Sequence, residues 1–299
     1  MMDNVKKTDI LIVGGGAAGM AAALSAAKRG KHVLLTDRNP YLGGVLPQCI
    51  HHGFGNGYFG EDITGPEYAR RFTGQIERSP VEVMTDTMVI RLNEDKTALL
   101  SGVNGLITVV FDHCILATGC RERPLGALPT GGTRPAGIFT AGQAQKLVNL
   151  GGYDVGERIV ILGSGDIGQI MARRFSLLGK TVVAMIEIRD ALGGMARNQK
   201  ECIQAFHIPV ILSATVDEVL GTGRIEGVMV RHLSDGRRER LSCDTLVTAL
   251  GLIPERDLVR HLEQNGKYPS WLSLCGNCEH VHEIVDSVTM QAQRLGASI

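Results

Sequence analysis

The stretch at residues 8–37, TDILIVGGGAAGMAAALSAAKRGKHVLLTD, constrains the fold more than any other. Four apolar residues, 10–13, run into three glycines, and a run of small residues follows before Lys28 and Arg29. A short apolar run bounded by turn residues reads as a buried strand, and the segment after it as a helix. Residues 33–36 read as a second strand, closed by Asp37. The glycines have separable duties in such a unit. Gly14 turns the chain out of the strand, Gly16 lets the backbone approach a pyrophosphate, and Gly19 lets the helix pack on the strand. The helix N-terminus offers free N–H groups and partial positive charge to phosphates. Asp37 stands at the distance, about twenty residues on, where a carboxylate accepts a ribose hydroxyl. The spacing predicts a dinucleotide site.

The rival reading of residues 10–27 is a signal peptide or membrane span behind Lys6 and Lys7. Three consecutive glycines, the acid Asp9 and the basic pair that follows argue against it. The 299 residues leave room for two domains, and the chain carries no net charge and no basic block. Neither nucleic acid nor an anionic membrane is an expected partner, and membrane insertion is not expected. Its 38 glycines cluster between apolar segments, as suits backbone lying against ligands. Seven cysteines, an odd number, do not form a secreted disulfide framework, so a reducing cytoplasm is expected.

Beyond Asp37, residues 38–60 form a glycine-rich loop too long for a mere connector. Residues 65–78 read as a helix, and residues 81–110 as short strands separated by turns. DHCILATG, at 112–119, returns as a buried strand into a tight turn. The plan then repeats. Residues 158–187 are again strand, glycine turn, helix and acid-ended strand, with Gly163, Gly165, Gly168 and Glu187. Short strands at 208–241 follow, and DTLVTALG at 244–251 mirrors DHCILATG. Two dinucleotide sites in one chain imply electron transfer between them, which is oxidoreductase chemistry. A non-enzymatic subunit that binds nucleotides for assembly or sensing is the alternative.

These motifs, with Ala117-Thr118-Gly119, Ala249-Leu250-Gly251, Pro254 and Leu274-Cys275-Gly276-Asn277, resemble the two-dinucleotide-binding-domain flavoproteins related to glutathione and thioredoxin reductases. The resemblance implies an α/β fold of two Rossmann-like domains, of the three-layer ββα type, with the NAD domain inserted in the FAD domain. It implies an FAD domain at 1–118 and 252–299, an NAD(P) domain at 119–251, and hinges near Gly119 and Gly251. FAD would meet Gly14, Gly16, Ala17, Ala18, Gly19, Asp37, Arg38, Gly43, Gly44, Met88, Thr118, Gly119, Gly276 and Asn277. NAD would meet Gly163, Gly165, Asp166, Ile167, Gly168, Glu187 and Gly251. Asn277 stands where the family has an aspartate.

The departures matter as much. The larger disulfide reductases carry C-x4-C after the glycine pair that matches Gly43-Gly44, whereas Leu46 and His51 stand there, with Cys49 between. Thioredoxin reductases carry C-x-x-C in the nucleotide domain, and no cysteine lies between Cys120 and Cys202. The strings at 42–55, 117–124, 134–149 and 274–289 are more similar to the small FAD/NAD subunits that accompany amino-acid or glycerol-3-phosphate dehydrogenase-like proteins, including relatives of opine oxidase and dye-linked proline dehydrogenase subunits. That resemblance implies a second dehydrogenase subunit or an electron-acceptor protein as partner.

Glu187 favours a free ribose diol and repels a 2′-phosphate, so NAD is expected over NADP. Against this, Arg189 lies two residues on, and Glu187 falls one residue later than strict spacing. The resemblance sets Cys49, His51 and His52 beside the flavin as candidate catalytic groups; the alternative is that the cysteine packs and the histidines bond backbone. Cys275, Cys278, His280 and His282 have the look of a metal cluster, but no second C-x2-C exists, and no metal is expected. A redox role for Cys275 with Cys278 would make the chain a thioredoxin-reductase-like disulfide reductase. A helix beginning near residues 284–287 would point its N-terminus at the flavin, or lie on the surface.

Overall fold

The apolar run ahead of the first glycines becomes the central strand of a sheet. In the computed structural model, which describes residues 5–299, β1 (Val5–Val13) leads into α1 (Ala17–Lys28) and β2 (Val33–Thr36). β1 starts earlier than the apolar run because its first half alternates exposed and half-buried residues, a pattern that hides a strand from a search for apolar runs. The loop after Asp37 contains a short pair, β3 (His52–Phe54) and β4 (Ile63–Thr64), and leads into α2 (Gly65–Glu77). β5 (Glu82–Met84), β6 (Met88–Leu92), β7 (Thr97–Gly102) and β8 (Gly105–Leu116) follow. The expected break between residues 110 and 112 is absent. β8 is continuous because its first half pairs antiparallel with β7 while β1 runs parallel along nearly its whole length.

The second copy is built likewise. β9 (Cys120–Glu122), β10 (Gly131–Gly132) and β11 (Ile138–Thr140) precede α3 (Ala141–Asn149). β12 (Arg158–Leu162), α4 (Asp166–Leu177) and β13 (Thr181–Ile186) are the repeated unit. After α5 (Ala196–Asn198) and a π-helical stretch come β14 (Val210–Ile211), β15 (Ala214–Gly221), β16 (Ile225–His232), β17 (Arg238–Leu241), β18 (Thr245–Thr248) and β19 (Leu252–Pro254). The chain closes with β20 (Leu272–Leu274) and α6 (Val285–Ser298).

Two compact units result, one running through Arg121 and resuming at Ile253–Ile299, the other Glu122–Leu252. In the first, the sheet order is β5-β2-β1-β8-β7-β6, with β20 on the C-terminal half of β8. Alternate residues of β1 feed two cores. Ile10 and Ile12 face α1, α2 and α6, and Leu11 and Val13 face the layer that contains Leu100, Phe111 and Leu262. α1 is buried on nearly all sides, because the sheet lies on one face and α6 on another. A Cβ on Gly296 of α6 would overlap the Ala22 carbonyl of α1, so the helices touch backbone to backbone. That burial explains the uniformly apolar run at residues 10–27. In the second unit a parallel sheet, β11-β18-β12-β13-β14, is covered by α3 and α4 on one face and by the β10-β15-β16-β17 sheet on the other. Helices, parallel sheet and antiparallel strands form the three layers expected.

Candidate functional site

At the end of β1 the chain turns through Gly14 at φ 108°, and a Cβ there would lie 2.5 Å from the Ala117 carbonyl oxygen. A Cβ on Gly19 would overlap the Gly14 carbonyl oxygen. Those two glycines are required by the protein's own packing. Gly16 is different. It caps α1 at φ −76°, a conformation open to any residue, and the nearest atom to a Cβ there is the Gly44 Cα at 3.8 Å. No side chain caps α1, so its first N–H groups have no side-chain acceptor from the N-cap. The place where a phosphate would meet the backbone is free of side chains, so the residues present fit a pyrophosphate-bearing cofactor.

Asp37 is buried, with Oδ2 accepting the Gly15 N–H at 2.7 Å and Oδ1 accepting the Asn39 N–H at 2.8 Å. The Gly43 N–H donates to the Gly15 carbonyl at 2.8 Å, and a Cβ on Gly44 would come within 3.0 Å of Gly16 Cα. Gly276, at φ 67°, donates its N–H to Gln291 Oε1 at 2.8 Å and lies against Ala18. Ala17 and Ala18 form the buried first turn of α1. Tertiary folding thus brings together Gly14, Gly16, Ala17, Ala18, Gly19, Asp37, Gly43, Gly44 and Gly276. Asn277 sits beside them, its Oδ1 accepting the His282 N–H at 3.0 Å. Thr118 Oγ1 donates to the Glu255 carbonyl at 2.7 Å, and Gly119 has φ 74° with nothing near its Cβ position. Arg38 is exposed. Met88 lies at the exposed start of β6, paired with Ser101, while Asp86 and Thr87 bond the backbone of Asn39 and Asp37. Position 88 is thus one residue beyond Thr87, whose N–H donates to the Asp37 carbonyl.

The second turn repeats this geometry. Gly163 has φ 102°, a Cβ on Gly168 would lie 2.6 Å from the Gly163 carbonyl, and Gly165, the uncapped N-cap of α4, has nothing within 4 Å of its Cβ position. The extra residue before Glu187 is absorbed by a bulge. Ile159 pairs with Val182 but Val160 pairs with Ala184, so Val183 is skipped and Leu162 meets Ile186 just as Val13 meets Thr36. Glu187 therefore reaches the register of Asp37. Its Oε2 accepts from the Ser164 N–H at 3.0 Å and from the Ser164 hydroxyl, and its Oε1 accepts from the Arg189 N–H at 3.1 Å and from Arg189 Nε at 3.2 Å. Burial raises the carboxyl's pKa, but these donors together hold it below the ordinary glutamate value. Asp166 is engaged by the following loop, accepting from the Met195 N–H and Asn198 Nδ2, and Ile167 packs beside the helix-side core. Gly251, at φ 96°, accepts the Arg123 N–H through its carbonyl. A cleft of about 290 Å³, lined by Phe139, Thr140, Gln143 and Thr248 among others, opens at the ends of β11 and β18.

The model of the family described as pyridine nucleotide-disulphide oxidoreductase matches residues 8–270. The chain belongs to that family. Membership of the pyridine nucleotide-disulphide oxidoreductases implies FAD and NAD(P) as its cofactors. The chain is 27% identical to the alpha subunit of sarcosine oxidase from Rhizobium meliloti (strain 1021), over 88% of this chain and 26% of that one. It is 25% identical to an opine oxidase subunit of Rhizobium meliloti, over 84% of this chain and 51% of that one. The chain therefore spans only a quarter to a half of these curated relatives. Its fold is that of the thioredoxin reductase of T. acidophilum, with a TM-score of 0.80, 22% identity, and 98% and 97% of the two chains covered.

In this oxidoreductase the loop groups are tied to backbone. Cys49 Sγ donates to the Val45 carbonyl at 3.3 Å, and burial pushes its thiol up to about 12. His51 Nδ1 lies 2.9 Å from the His52 carbonyl, and His52 Nδ1 lies 3.1 Å from the Asp62 carbonyl. Cys275 and Cys278 are fully buried free thiols in different cores, and Cys278 Sγ donates to the Leu116 carbonyl at 3.0 Å. Burial pushes both thiols up. The His280 and His282 rings lie tilted to one another, with centroids 4.0 Å apart. Among the described residues, no three His, Cys, Asp or Glu side chains are placed to hold a metal, and no helix is long and apolar enough to cross a membrane. α6 packs one face inward and leaves Met290 and Arg294 exposed on the other, and its first turn carries the buried Asp286 carboxylate, which accepts the Gly57 N–H at 2.8 Å. That carboxylate offsets part of the positive charge a helix N-terminus would present.

Three participants lay beyond the motif reading: Gly15 and Ser164, which donate to the acids, and Gln291, which holds Gly276. A hydroxyl in the variable place between two motif glycines was the one available sign, at Ser164.

Proposed function

We propose that this chain is an FAD-dependent oxidoreductase that passes a hydride between NAD(H) and FAD, working as the electron-transfer subunit of a dehydrogenase complex. The observation that carries the reading is the duplicated glycine turn, each copy with an uncapped helix N-terminus and a buried acid in the same register. Bound together, the two groups supply hydride transfer between nicotinamide C4 and flavin N5. The chain's contribution is positioning: α1 and α4 receive the pyrophosphates, and Asp37 and Glu187 orient the riboses. Each acid keeps both oxygens anchored by the protein, which fixes its direction before a nucleotide arrives. Glu187 and its bonded Arg189 support NAD over NADP. The subunits named among the relatives support a partner, which would take or give the electrons.

The test is direct. Protein reconstituted with FAD should turn yellow, and NADH should bleach the flavin band under anaerobic conditions. Failure to take up FAD, or a band that NADH leaves unchanged, overturns the reading.

The likeness of fold to a thioredoxin reductase supports a second reading, disulfide reduction. It requires Cys275 and Cys278 as the pair, both buried and protonated. Disulfide reduction that disappears in Cys278→Ser would establish it.

A further inference from the structure

Ser164 is a residue that neither nucleotide fingerprint requires, since the first copy has Gly15 in the same place. Yet it is fully buried and sits at the centre of a closed set of bonds. Its hydroxyl donates to Glu187 Oε2 and accepts the Gly193 N–H at 2.8 Å. Gln169 Nε2 then bridges the Ser164 and Gly193 carbonyls, each at 2.7 Å. Arg189 lies across Gly193, where an added Cβ would overlap its guanidinium, and its Nε is 3.2 Å from Glu187 Oε1. The glutamate is one methylene longer than Asp37 and has one more torsion to fix. The serine hydroxyl supplies the extra anchor that the longer side chain needs.

We propose that Ser164 is the specificity-positioning residue of the second nucleotide site, holding Glu187 toward a ribose diol and keeping Arg189 paired with it instead of with a 2′-phosphate. The inference rests on the reading of the second glycine turn and Glu187 as a nicotinamide-nucleotide site. Without the hydroxyl, Glu187 keeps the Ser164 N–H but loses its second bond on Oε2. The carboxylate then turns more freely, and Arg189, mostly exposed, becomes available to a phosphate dianion. The chemistry discriminated is a ribose 2′-hydroxyl against a 2′-phosphate monoester.

The experiment is titration calorimetry of the FAD-loaded protein with ADP-ribose and with 2′-phospho-ADP-ribose, neither of which can be turned over. Ser164→Gly copies the first site, whose turn folds with glycine, and Ser164→Thr keeps a hydroxyl. Ser164→Gly should weaken ADP-ribose by up to about tenfold, because binding must then order a carboxylate that the free protein no longer holds, and shift the ratio of the two dissociation constants toward the phosphorylated ligand. Ser164→Thr should keep the wild-type ratio. Adding Arg189→Ala to Ser164→Gly should abolish the gain for the phosphorylated ligand, the coupling expected if the two residues act through one carboxylate. An unchanged ratio in Ser164→Gly, or a ratio indifferent to Arg189, overturns the inference. Wild-type protein that binds the phosphorylated ligand more tightly overturns the underlying NAD reading instead.

Discussion

Gly14, Gly19, Gly163 and Gly168 are glycines because neighbouring backbone leaves no room for a Cβ, whereas the protein's own packing does not require glycine at 16 or 165. The difference can be measured. Serine is a better helix N-cap than glycine by a few tenths of a kcal/mol, and position 165 has the extended backbone an N-cap needs, at φ −63°. Gly165→Ser should therefore leave the melting temperature of the nucleotide-free protein equal or slightly higher. It should also weaken ADP-ribose by roughly tenfold or more, because the new hydroxyl takes an N–H meant for phosphate. Loss of fold stability with affinity unchanged would show that the open space serves packing rather than a ligand. The glycine positions were plain in the amino-acid pattern; which of them the fold itself requires depends on neighbours such as Ala117 and Ala249, distant in the chain.

At the level of elements, the segment from the turn Leu46–Gln48 to β4 behaves as built structure. Tyr58 and Phe59 pack on Tyr68 and Phe72 of α2, Asp62 Oδ1 accepts the Gly53 N–H at 2.7 Å, and the Gly65 N–H donates to the Cys49 carbonyl at 2.9 Å. Cys49 is half-buried within that element, and its surroundings penalise the thiolate. Its folded pKa, about 12, stands above the ordinary value of 9.0, so folded protein retains the proton where unfolded protein loses it. The contribution to stability is complete below pH 9.0 and is lost as pH rises toward 12. Iodoacetamide at pH 8 should accordingly modify Cys49 slowly in folded protein and rapidly in urea. Equally rapid alkylation at Cys49 in the folded protein would contradict this and support a nucleophilic role. The composition of residues 38–60 suggested function through glycine content; the aromatic anchoring came from contacts with α2 and α6, which periodicity within the loop does not reveal. The bulge at Val183 is the same kind of case, since a one-residue excess in spacing does not say which strand will absorb it.

For the whole molecule, the neutral charge and the short span relative to its curated relatives turn the question to what receives the electrons. If the chain is one subunit of a larger assembly, protein isolated from its native source should carry a second polypeptide, and adding that polypeptide should accelerate reoxidation of NADH-reduced flavin at least tenfold in stopped-flow measurements. Reoxidation at the same rate with and without it would leave the chain acting alone. The sequence by itself determined the two repeated units with their helices and paired acids, because strand, glycine turn and helix are encoded by local periodicity and by backbone freedom, while the three-layer class came from the family resemblance those motifs carry. Only the tertiary structure decided that β8 is one strand, that Glu187 shares the register of Asp37, that Cys275 and Cys278 lie in separate cores, and that Ser164 grips the second acid. Each of those depends on which segments remote in the chain lie side by side, and burial and hydrogen-bond satisfaction act on that arrangement rather than on any local pattern.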